Sequence, residues 1–408
     1  MHLIDLIHGE NFGINRDIKA HNVLTDDEIN EKYSKGEIRI VTEQARYPLD
    51  SISAMLKSGK YDLNPEYQRR KRWTVEQQSK LIESFIINVP IPPIFIYEVS
   101  YANYEVMDGL QRLTAISEFY NDEFKLQGLE EWSELNGKRY SELPKTVKEG
   151  IDRRYLSSIV LLNETAKNRQ IAESLKQMVF GRLNSGGDKL EPQETRNALF
   201  MGKFNNFCIK LSEDENFRKI WNYKLFKWDG DVLLNEKELL ENESYRKMED
   251  VEMVLRFFAY RHLDLLSNFK SQERFLDEFL KQANSYSDET INKLGVIFLE
   301  TTKLIFDIFG SQALYMPQIG DKTRNTPTKT IYDPLMQVIS SYISQRKLLI
   351  DKKVIITDLI YKDVDELFYE SKQGAKAIPL FDGKYNGKNN VESRIEYFKK
   401  VIDEAINR

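Results

Sequence analysis

The sequence predicts an α+β protein, in which a mixed α/β domain is followed by an all-helical domain. Short β-prone runs lie between amphipathic segments in the first half of the chain, as at Ile94–Tyr97 and Tyr104–Met107. The second half carries long helical patterns, such as those over 290–309 and 392–406, with few strand signals. A chain of 408 residues can build two domains with separate cores.

The individual elements are predicted from apolar spacing and from the residues that interrupt it. Thr25 precedes an acidic helix start, and Thr74 begins a helix that Pro90 ends. Further strands are predicted at 124–126 and 156–162, and further helices at 113–120, 170–183, 251–265, 290–309, 333–343 and 392–406. The chain is divided accordingly into an N-terminal extension, 1–45, a mixed α/β domain, 46–215, and a helical domain, 216–408.

Composition and charge limit the classes of function. The residues are 41% hydrophobic and 30% charged, with a formal net charge of −5, which indicates a globular protein whose contact with nucleic acid is confined to a local patch. The single cysteine, Cys208, excludes a disulfide framework and favours a reducing compartment, so a cytoplasmic location is expected. No secretory signal and no membrane-spanning apolar run is recognised.

The segment Asp108–Arg112 connects a predicted strand to a predicted helix. A glycine bend before a helix start presents backbone N–H groups and the positive end of the helix dipole, which suits phosphate. Arg112 adds a planar cation that matches phosphate oxygens, Gln111 can orient water or a base, and Asp108 can hold Mg²⁺ or a ribose hydroxyl. The alternative is a structural turn, in which Asp108 caps the helix and Arg112 forms an internal pair.

Two further clusters have a functional and a structural interpretation. Residues 65–73 combine cations with aromatic rings, so the cations can bind phosphates while Tyr67 or Trp73 stacks on a base. The alternative is a solvated basic loop with Trp73 buried. The residues from Arg182 through Asn184 to Gly187 form the other cluster, whose alternative interpretation is a helix C-cap and turn.

Together the three clusters resemble, in order and spacing, the family called domain of unknown function 262, the N-terminal domain of GmrSD-type modification-dependent restriction proteins. The resemblance spans residues 47–210 and implies a ParB/sulfiredoxin-like fold for the mixed domain. The residues that carry it are Tyr67-Gln68-Arg69, Pro90-Ile91-Pro92, Asp108 to Arg112, and Phe180 to Asn184 with Gly186-Gly187.

The resemblance implies binding and hydrolysis of a nucleoside triphosphate, with Mg²⁺ as an optional ion, coupled to DNA recognition and defence against phage. The catalytic residues are then Asp108, Gln111 and Arg112. The nucleotide-binding residues are then Tyr67, Gln68, Arg69, Gly109, Arg112, Arg182 and Asn184. Arg70, Lys71 and Arg72 are expected to contact nucleic acid, and no set of metal-binding side chains is predicted.

The chain departs from the family pattern at two points. Leu110 stands where the family has a glutamine, and because leucine forms no hydrogen bond, binding without hydrolysis becomes more plausible. The chain has four histidines, three of them near the N-terminus, which does not fit a His-Asn-His nuclease. A separately encoded nuclease is therefore the expected partner, with a HEPN-type nuclease as one candidate.

Two isolated features are interpreted as structural. Arg256 and His262 have the spacing of a HEPN catalytic pair, but apolar residues typical of a helix core surround them. Cys208 lies near Phe204 and Phe207, as expected of a small buried thiol.

Two functions remain open at this point. One is a nucleotide-dependent sensor or regulatory subunit of an anti-phage or modification-dependent restriction system. The other is a non-catalytic DNA-binding regulator or antitoxin-like protein. A homo-oligomer is compatible with both.

Overall fold

The computed structural model describes residues 5–13, 25–34, 41–63, 73–162, 175–176, 178–182, 191–315, 326–361, 368–369, 378–381 and 387–408. These fall into two compact units. One contains the described residues between Lys19 and Leu199, and the other contains those of Met1–Ile18 and Phe200–Arg408. The prediction of an α+β protein with a helical C-terminal region is confirmed.

The first unit is built on a five-stranded mixed sheet. Its strand order is β1-β5-β3-β4-β2. Strand β5 is antiparallel to β1 and parallel to β3, whereas β4 is antiparallel to β3 and parallel to β2. The elements described in this unit are α1 (Asp26–Ser34), β1 (Thr42–Pro48), α2 (Ile52–Lys57), β2 (Tyr61–Asp62), α3 (Val75–Ile87), β3 (Ile94–Ser100), β4 (Asn103–Asp108), α4 (Leu110–Tyr120), α5 (Lys145–Asp152), β5 (Tyr155–Leu161) and α6 (Pro192–Leu199).

Local sequence explains where α3 begins and ends. The Thr74 hydroxyl accepts from the backbone N–H of Gln77, and the Gln77 side chain accepts from the backbone N–H of Thr74, which forms a capping box. At the other end Asn88 adopts a left-handed conformation with φ of 65°. Pro90 follows, as the sequence predicted. The helix is thereby fixed next to β3, which starts at Ile94.

Both faces of the sheet are covered. Alternating residues of β3 face opposite sides, so Ile94 and Ile96 join the main core with α3 and α4. Phe95 and Tyr97 face the other side, where they belong to a cluster with Phe180. The strand predicted at 124–126 is wrong. The backbone of Leu126 forms its hydrogen bonds with the loop residues 137 and 138. Its N–H donates to the Lys138 carbonyl at 3.0 Å, and its carbonyl accepts from the Gly137 N–H at 2.8 Å.

The second unit is mainly helical, with two short two-stranded sheets. The predicted helices at 251–265, 290–309, 333–343 and 392–406 are found, with bounds shifted by a few residues. The elements described in this unit are α7 (Lys203–Leu211), α8 (Glu215–Ile220), β6 (Trp228–Asp229), β7 (Val232–Leu233), α9 (Glu236–Leu240), α10 (Glu243–Arg246), α11 (Glu249–Tyr260), α12 (Gln272–Ala283), α13 (Asp288–Phe309), α14 (Lys329–Ser341), α15 (Arg346–Asp351), α16 (Lys353–Tyr361), β8 (Phe368–Tyr369), β9 (Ile378–Pro379) and α17 (Lys388–Asn407).

The N-terminal residues 5–13 are part of the helical unit. Glu10 forms a paired contact with Arg261, with its carboxylate oxygens 2.6 Å from Nε and 2.9 Å from Nη2. The ring of Phe12 packs against Phe275 and Phe279, with centroids 5.6 Å and 5.5 Å away. Among the described residues, no helix has the length and apolarity needed to cross a membrane.

Candidate functional site

The turn after β4 has the strand, glycine and helix order predicted from the sequence. Gly109 has φ of +98°, and a Cβ placed on it would lie 2.3 Å from Cγ2 of Ile94. Only glycine fits such a position without a shift of its neighbours. Asp108 is the last residue of β4, and α4 begins at Leu110. The bend therefore places Asp108 and the first turn of α4 side by side.

The side chain of Arg112 forms hydrogen bonds to both Asp108 and the segment before β3. Its Nη2 donates to Oδ2 of Asp108 at 2.5 Å, while Nη1 donates to the carbonyls of Pro92 at 2.5 Å and Pro93 at 3.4 Å. The side chain of Arg112 is 12% exposed, whereas that of Asp108 is 45% exposed. The contact between Arg112 and Asp108 is the internal pair that is expected if the turn is structural. It also leaves a carboxylate open to solvent beside a guanidinium.

Gln111 connects the turn to the segment before α3. Its Oε1 accepts from the backbone N–H of Trp73 at 3.1 Å. Trp73 is half-buried against the main core, so its ring is partly packed. The predicted residues Tyr67, Gln68, Arg69, Arg70, Lys71 and Arg72 lie outside the described residues. Trp73 is the residue after Arg72 in the sequence, and its contact with Gln111 joins Trp73 to the Asp108 turn.

Leu110 is turned away from the turn and into the protein. It is 8% exposed and belongs to the main core with Leu113 and Ile116. Position 110 therefore contributes packing in this chain. A leucine suits the apolar surroundings of that position.

Arg182 lies on the second face of the sheet. Residues 178–182 are helical, and Phe180 belongs to the cluster that contains Met107, the residue before Asp108. The side chain of Arg182 is exposed. On the same face Lys176 pairs with Glu105, with Nζ 2.7 Å and 2.5 Å from the two carboxylate oxygens. Asn184 lies outside the described residues.

Sequence reasoning passed over a buried polar face on α6. Four of its eight residues are polar or charged and at most 4% exposed. Gln193 connects two of them, since its Oε1 accepts from Nη1 of Arg196 and its Nε2 donates to Oδ1 of Asn197, both at 3.2 Å. Buried polar groups at this density are unusual in a short helix. The four residues are Gln193, Glu194, Arg196 and Asn197.

Two features interpreted as structural are confirmed as such. Arg256 donates from Nε to Asp333 at 3.0 Å and from Nη2 to the Tyr260 hydroxyl at 3.0 Å, so it is bound within the core. His262 is 2% exposed and lies 3.5 Å from Glu10. Cys208 is fully buried, which raises the pKa of its thiol far above the usual range and keeps it protonated.

Within the described ranges of the chain, no group of three or more His, Cys, Asp or Glu side chains could hold a metal ion by itself. A magnesium ion is commonly held by one or two carboxylates together with substrate phosphates. Asp108 can supply one such carboxylate, since its Oδ1 makes no hydrogen bond to the described residues.

A family match covers part of the sheet-containing unit, from β2 to β5. Neither curated proteins nor solved structures gave a match. A family model, described as GmrSD restriction endonuclease, N-terminal domain, matches residues 52–201. That range contains β2 to β5 and the Asp108 turn. Residues 52–201 are therefore similar to the N-terminal domain of a GmrSD-type restriction endonuclease.

Proposed function

We propose that this chain is a nucleotide-binding regulatory protein of a restriction system, and that a nucleoside triphosphate binds at the Asp108 turn. The observation that carries the proposal is the half-exposed carboxylate of Asp108, held beside Arg112 at a strand–glycine–helix bend. That bend lies within the region similar to a restriction endonuclease domain.

Binding is proposed to exchange the partner of Arg112. Its Nη2, which now donates to Asp108, can donate to a phosphate oxygen instead. Asp108 is then released to contribute one carboxylate to a Mg²⁺ ion that also binds the phosphates. The exchange is favoured because Asp108 is half exposed and loses little on release to water.

Gln111 and the basic segment have supporting roles in this proposal. Gln111 accepts from the backbone N–H of Trp73, and Trp73 directly follows Arg69 to Arg72 in the sequence. Nucleotide occupancy is thereby communicated to residues expected to contact DNA. The nucleotide state is then passed to a separately encoded nuclease, for which a HEPN-type enzyme is a candidate.

The proposal is tested by titrating the full chain with ATP, GTP, CTP and UTP in the presence of Mg²⁺, with calorimetry for binding and a phosphate-release assay for turnover. Arg112→Ala and Asp108→Asn are expected to weaken binding at least tenfold, because each removes a charged contact worth roughly 1.5–3 kcal/mol. Arg154→Ala is the matched control, since Arg154 donates to the Phe85 carbonyl at 3.2 Å elsewhere in the same unit. Absence of triphosphate binding, or equal loss in all three variants, contradicts the proposal.

A second candidate function has one observation in its favour. Three donor contacts of Arg112 are made to Asp108, Pro92 and Pro93, as expected if the turn is structural. The chain is then a DNA-binding regulator without turnover, which uses Arg70, Lys71 and Arg72. In that case DNA affinity falls steeply with salt, and replacing Arg70 and Arg72 by glutamine lowers the salt dependence by about two charges. Triphosphate hydrolysis by the pure chain excludes this candidate.

A further inference from the structure

Residues 5–13 contact the helical unit in the manner of a bound peptide. They form no helix or strand, and their backbone–backbone hydrogen bonds stay within the segment, from Glu10 to Ile7 and from Asn11 to Gly9. Side chains of residues 261–290, between the end of α11 and the start of α13, hold the segment instead. The segment can therefore leave this 261–290 surface without breaking a helix or a strand of the unit.

Two side chains of the 261–290 surface bind the backbone of the segment. Gln282 makes two hydrogen bonds to Gly13, because its Oε1 accepts from the N–H at 3.0 Å and its Nε2 donates to the carbonyl at 2.8 Å. The hydroxyl of Tyr286 donates to the Asn11 carbonyl at 3.0 Å. Every extended peptide carries these backbone groups, so such contacts hold a peptide whatever its side chains are.

Glu10 and Phe12 supply the contacts that depend on side-chain chemistry. The Glu10 side chain is fully buried, and Arg261 donates to both of its carboxylate oxygens. A buried guanidinium needs an anionic partner, whereas an aromatic box favours another ring. The 261–290 surface therefore matches a carboxylate followed two residues later by an aromatic ring. The rings around Phe12, with centroids between 5.5 Å and 5.9 Å away, are those of His262, Phe269, Phe275 and Phe279.

Residues 5–13 leave one polar atom of the surface unsatisfied. Nε2 of His262 lies 3.5 Å from Oε1 of Glu10, beyond the usual length of a hydrogen bond, and has no other partner among the described residues. His262 is 2% exposed, so water does not replace the missing partner. Because an unsatisfied buried polar atom weakens a complex, a peptide that binds this atom would displace residues 5–13.

We propose that the 261–290 surface is a peptide-binding site, which a partner protein occupies with an extended segment that carries a carboxylate two residues before an aromatic ring. Residues 5–13 are the intramolecular competitor of that segment. Competition by a tethered segment is strong, because its effective concentration is on the order of millimolar. The site uses none of the residues at the Asp108 turn, so it is independent of the nucleotide proposal.

The test is a titration of the full chain with a fluorescently labelled synthetic peptide of residues 5–13, measured by fluorescence anisotropy. The wild-type chain should bind the peptide weakly, because its own segment competes. The Phe12→Ala chain should bind it at least tenfold more tightly, since its own segment has lost the aromatic contact. If this variant does not fold, Gly13→Pro serves instead, because proline removes the N–H that binds Gln282.

Altered peptides test the ligand chemistry on the Phe12→Ala chain. Peptides with Glu10→Gln or Phe12→Ala should bind at least tenfold more weakly than the unaltered peptide, because each loses the charged or the aromatic contact. The Asn11→Ala peptide is the control and should bind normally, since the surface contacts Asn11 through its backbone carbonyl. Equal binding of all four peptides contradicts the proposal.

Variants of the surface itself complete the test. Gln282→Ala, added to the Phe12→Ala chain, should weaken peptide binding, because two backbone contacts are lost. Arg274→Gln, at an exposed position of the same helix, should leave binding unchanged. Sedimentation of the wild type should show no dimer that the peptide dissociates. Such a dimer would assign the site to a second copy of the chain and overturn the proposal, as would the absence of peptide binding to both the Phe12→Ala and the Gly13→Pro chains.

Discussion

Each unit of the molecule contains an arginine–aspartate pair, and the two pairs differ in their exposure. In the sheet unit, Arg112 is 12% exposed and its partner Asp108 is 45% exposed. In the helical unit, Arg256 and Asp333 are 5% and 6% exposed. The chemistry of the two contacts is the same. The difference is whether water, or a ligand in place of water, can reach the carboxylate.

Exposure decides what such a pair can do. A sealed pair holds its partners because neither charge can be left alone in the interior. A half-open pair is held more weakly, so it can exchange one partner for a ligand with the same charge. The comparison therefore separates a functional candidate, Arg112, from a structural residue, Arg256, although the sequence offered a catalytic interpretation for both.

The largest loss of stability is expected when one partner of the buried pair, Arg256 and Asp333, is removed. Arg256→Ala leaves Asp333 buried without a partner, so the free energy of unfolding should fall by about 3–5 kcal/mol. Arg112→Ala should cost about 1–2 kcal/mol, since Asp108 remains in contact with water. Urea unfolding, followed by hydrogen exchange in peptides from α11 and α4, measures the two losses separately.

The double variant Arg256→Met with Asp333→Leu is the control for this prediction. It removes both charges together and should recover most of the stability that Arg256→Ala loses. Equal losses for Arg112→Ala and Arg256→Ala would show that the exposure of the carboxylate makes no difference.

A smaller effect is expected from the glycine that shapes the half-open pair. Gly109→Ala adds a Cβ at 2.3 Å from Ile94 on a backbone with φ of +98°, which should cost about 2–3 kcal/mol. Gly59→Ala is the matched control, because Gly59 has φ of +72° but no atom within 4 Å of its Cβ position. That variant should lose only about 1 kcal/mol, from backbone strain. Thermal unfolding of both compares the contributions, and equal losses would exclude a steric role for Ile94.

The smallest expected effect is on the pH dependence of stability, through a second buried ion pair, Glu10 with Arg261. Burial by itself raises the pKa of Glu10, but His262 and Arg261 outweigh it and hold the pKa below its ordinary value of 4.5. A lowered folded-state pKa stabilises the fold above pH 4.5, and this stability is lost as the pH falls through the folded-state pKa.

Glu10→Gln should therefore reduce the acid dependence of stability, by at most about 1.4 kcal/mol per pH unit for one proton. Urea midpoints between pH 6 and pH 3 measure that dependence. Glu396→Gln, at an exposed position in the same unit, provides the control for the loss of a carboxylate by itself. If Glu10→Gln keeps the wild-type pH profile, the Glu10 carboxylate is not the group that titrates.

Much of the fold could be predicted because its signals are local. The capping box at Thr74, the hairpin at 94–108 and the long helical patterns depend on residues close together in sequence. The strand prediction at 124–126 was wrong because these apolar residues belong to a buried loop. Apolar spacing alone does not distinguish a buried loop from a strand. The inclusion of residues 5–13 in the helical unit depends on a contact between Glu10 and Arg261, 251 positions apart.

The candidate site was predicted in part for the same reason. The bend at Gly109 follows from a glycine between strand and helix patterns. The buried polar face of α6 could have been noticed from the five polar residues at 193–197, which are followed by Ala198 and Leu199 that pack under the sheet. The contacts among the rings of Tyr47, Tyr61 and Tyr104 could not have been predicted, because β1, β2 and β4 supply one ring each.

The sequence by itself determined which residues are available for chemistry and where the chain bends, because turns, caps and helix faces are set by neighbours a few positions apart. Only the tertiary structure decided that Asp108 is exposed while Asp333 is buried, that Leu110 faces the core, and that the rings of Tyr47, Tyr61 and Tyr104 come into contact. These outcomes depend on exposure and on contacts between distant segments, which exist only once the chain has packed.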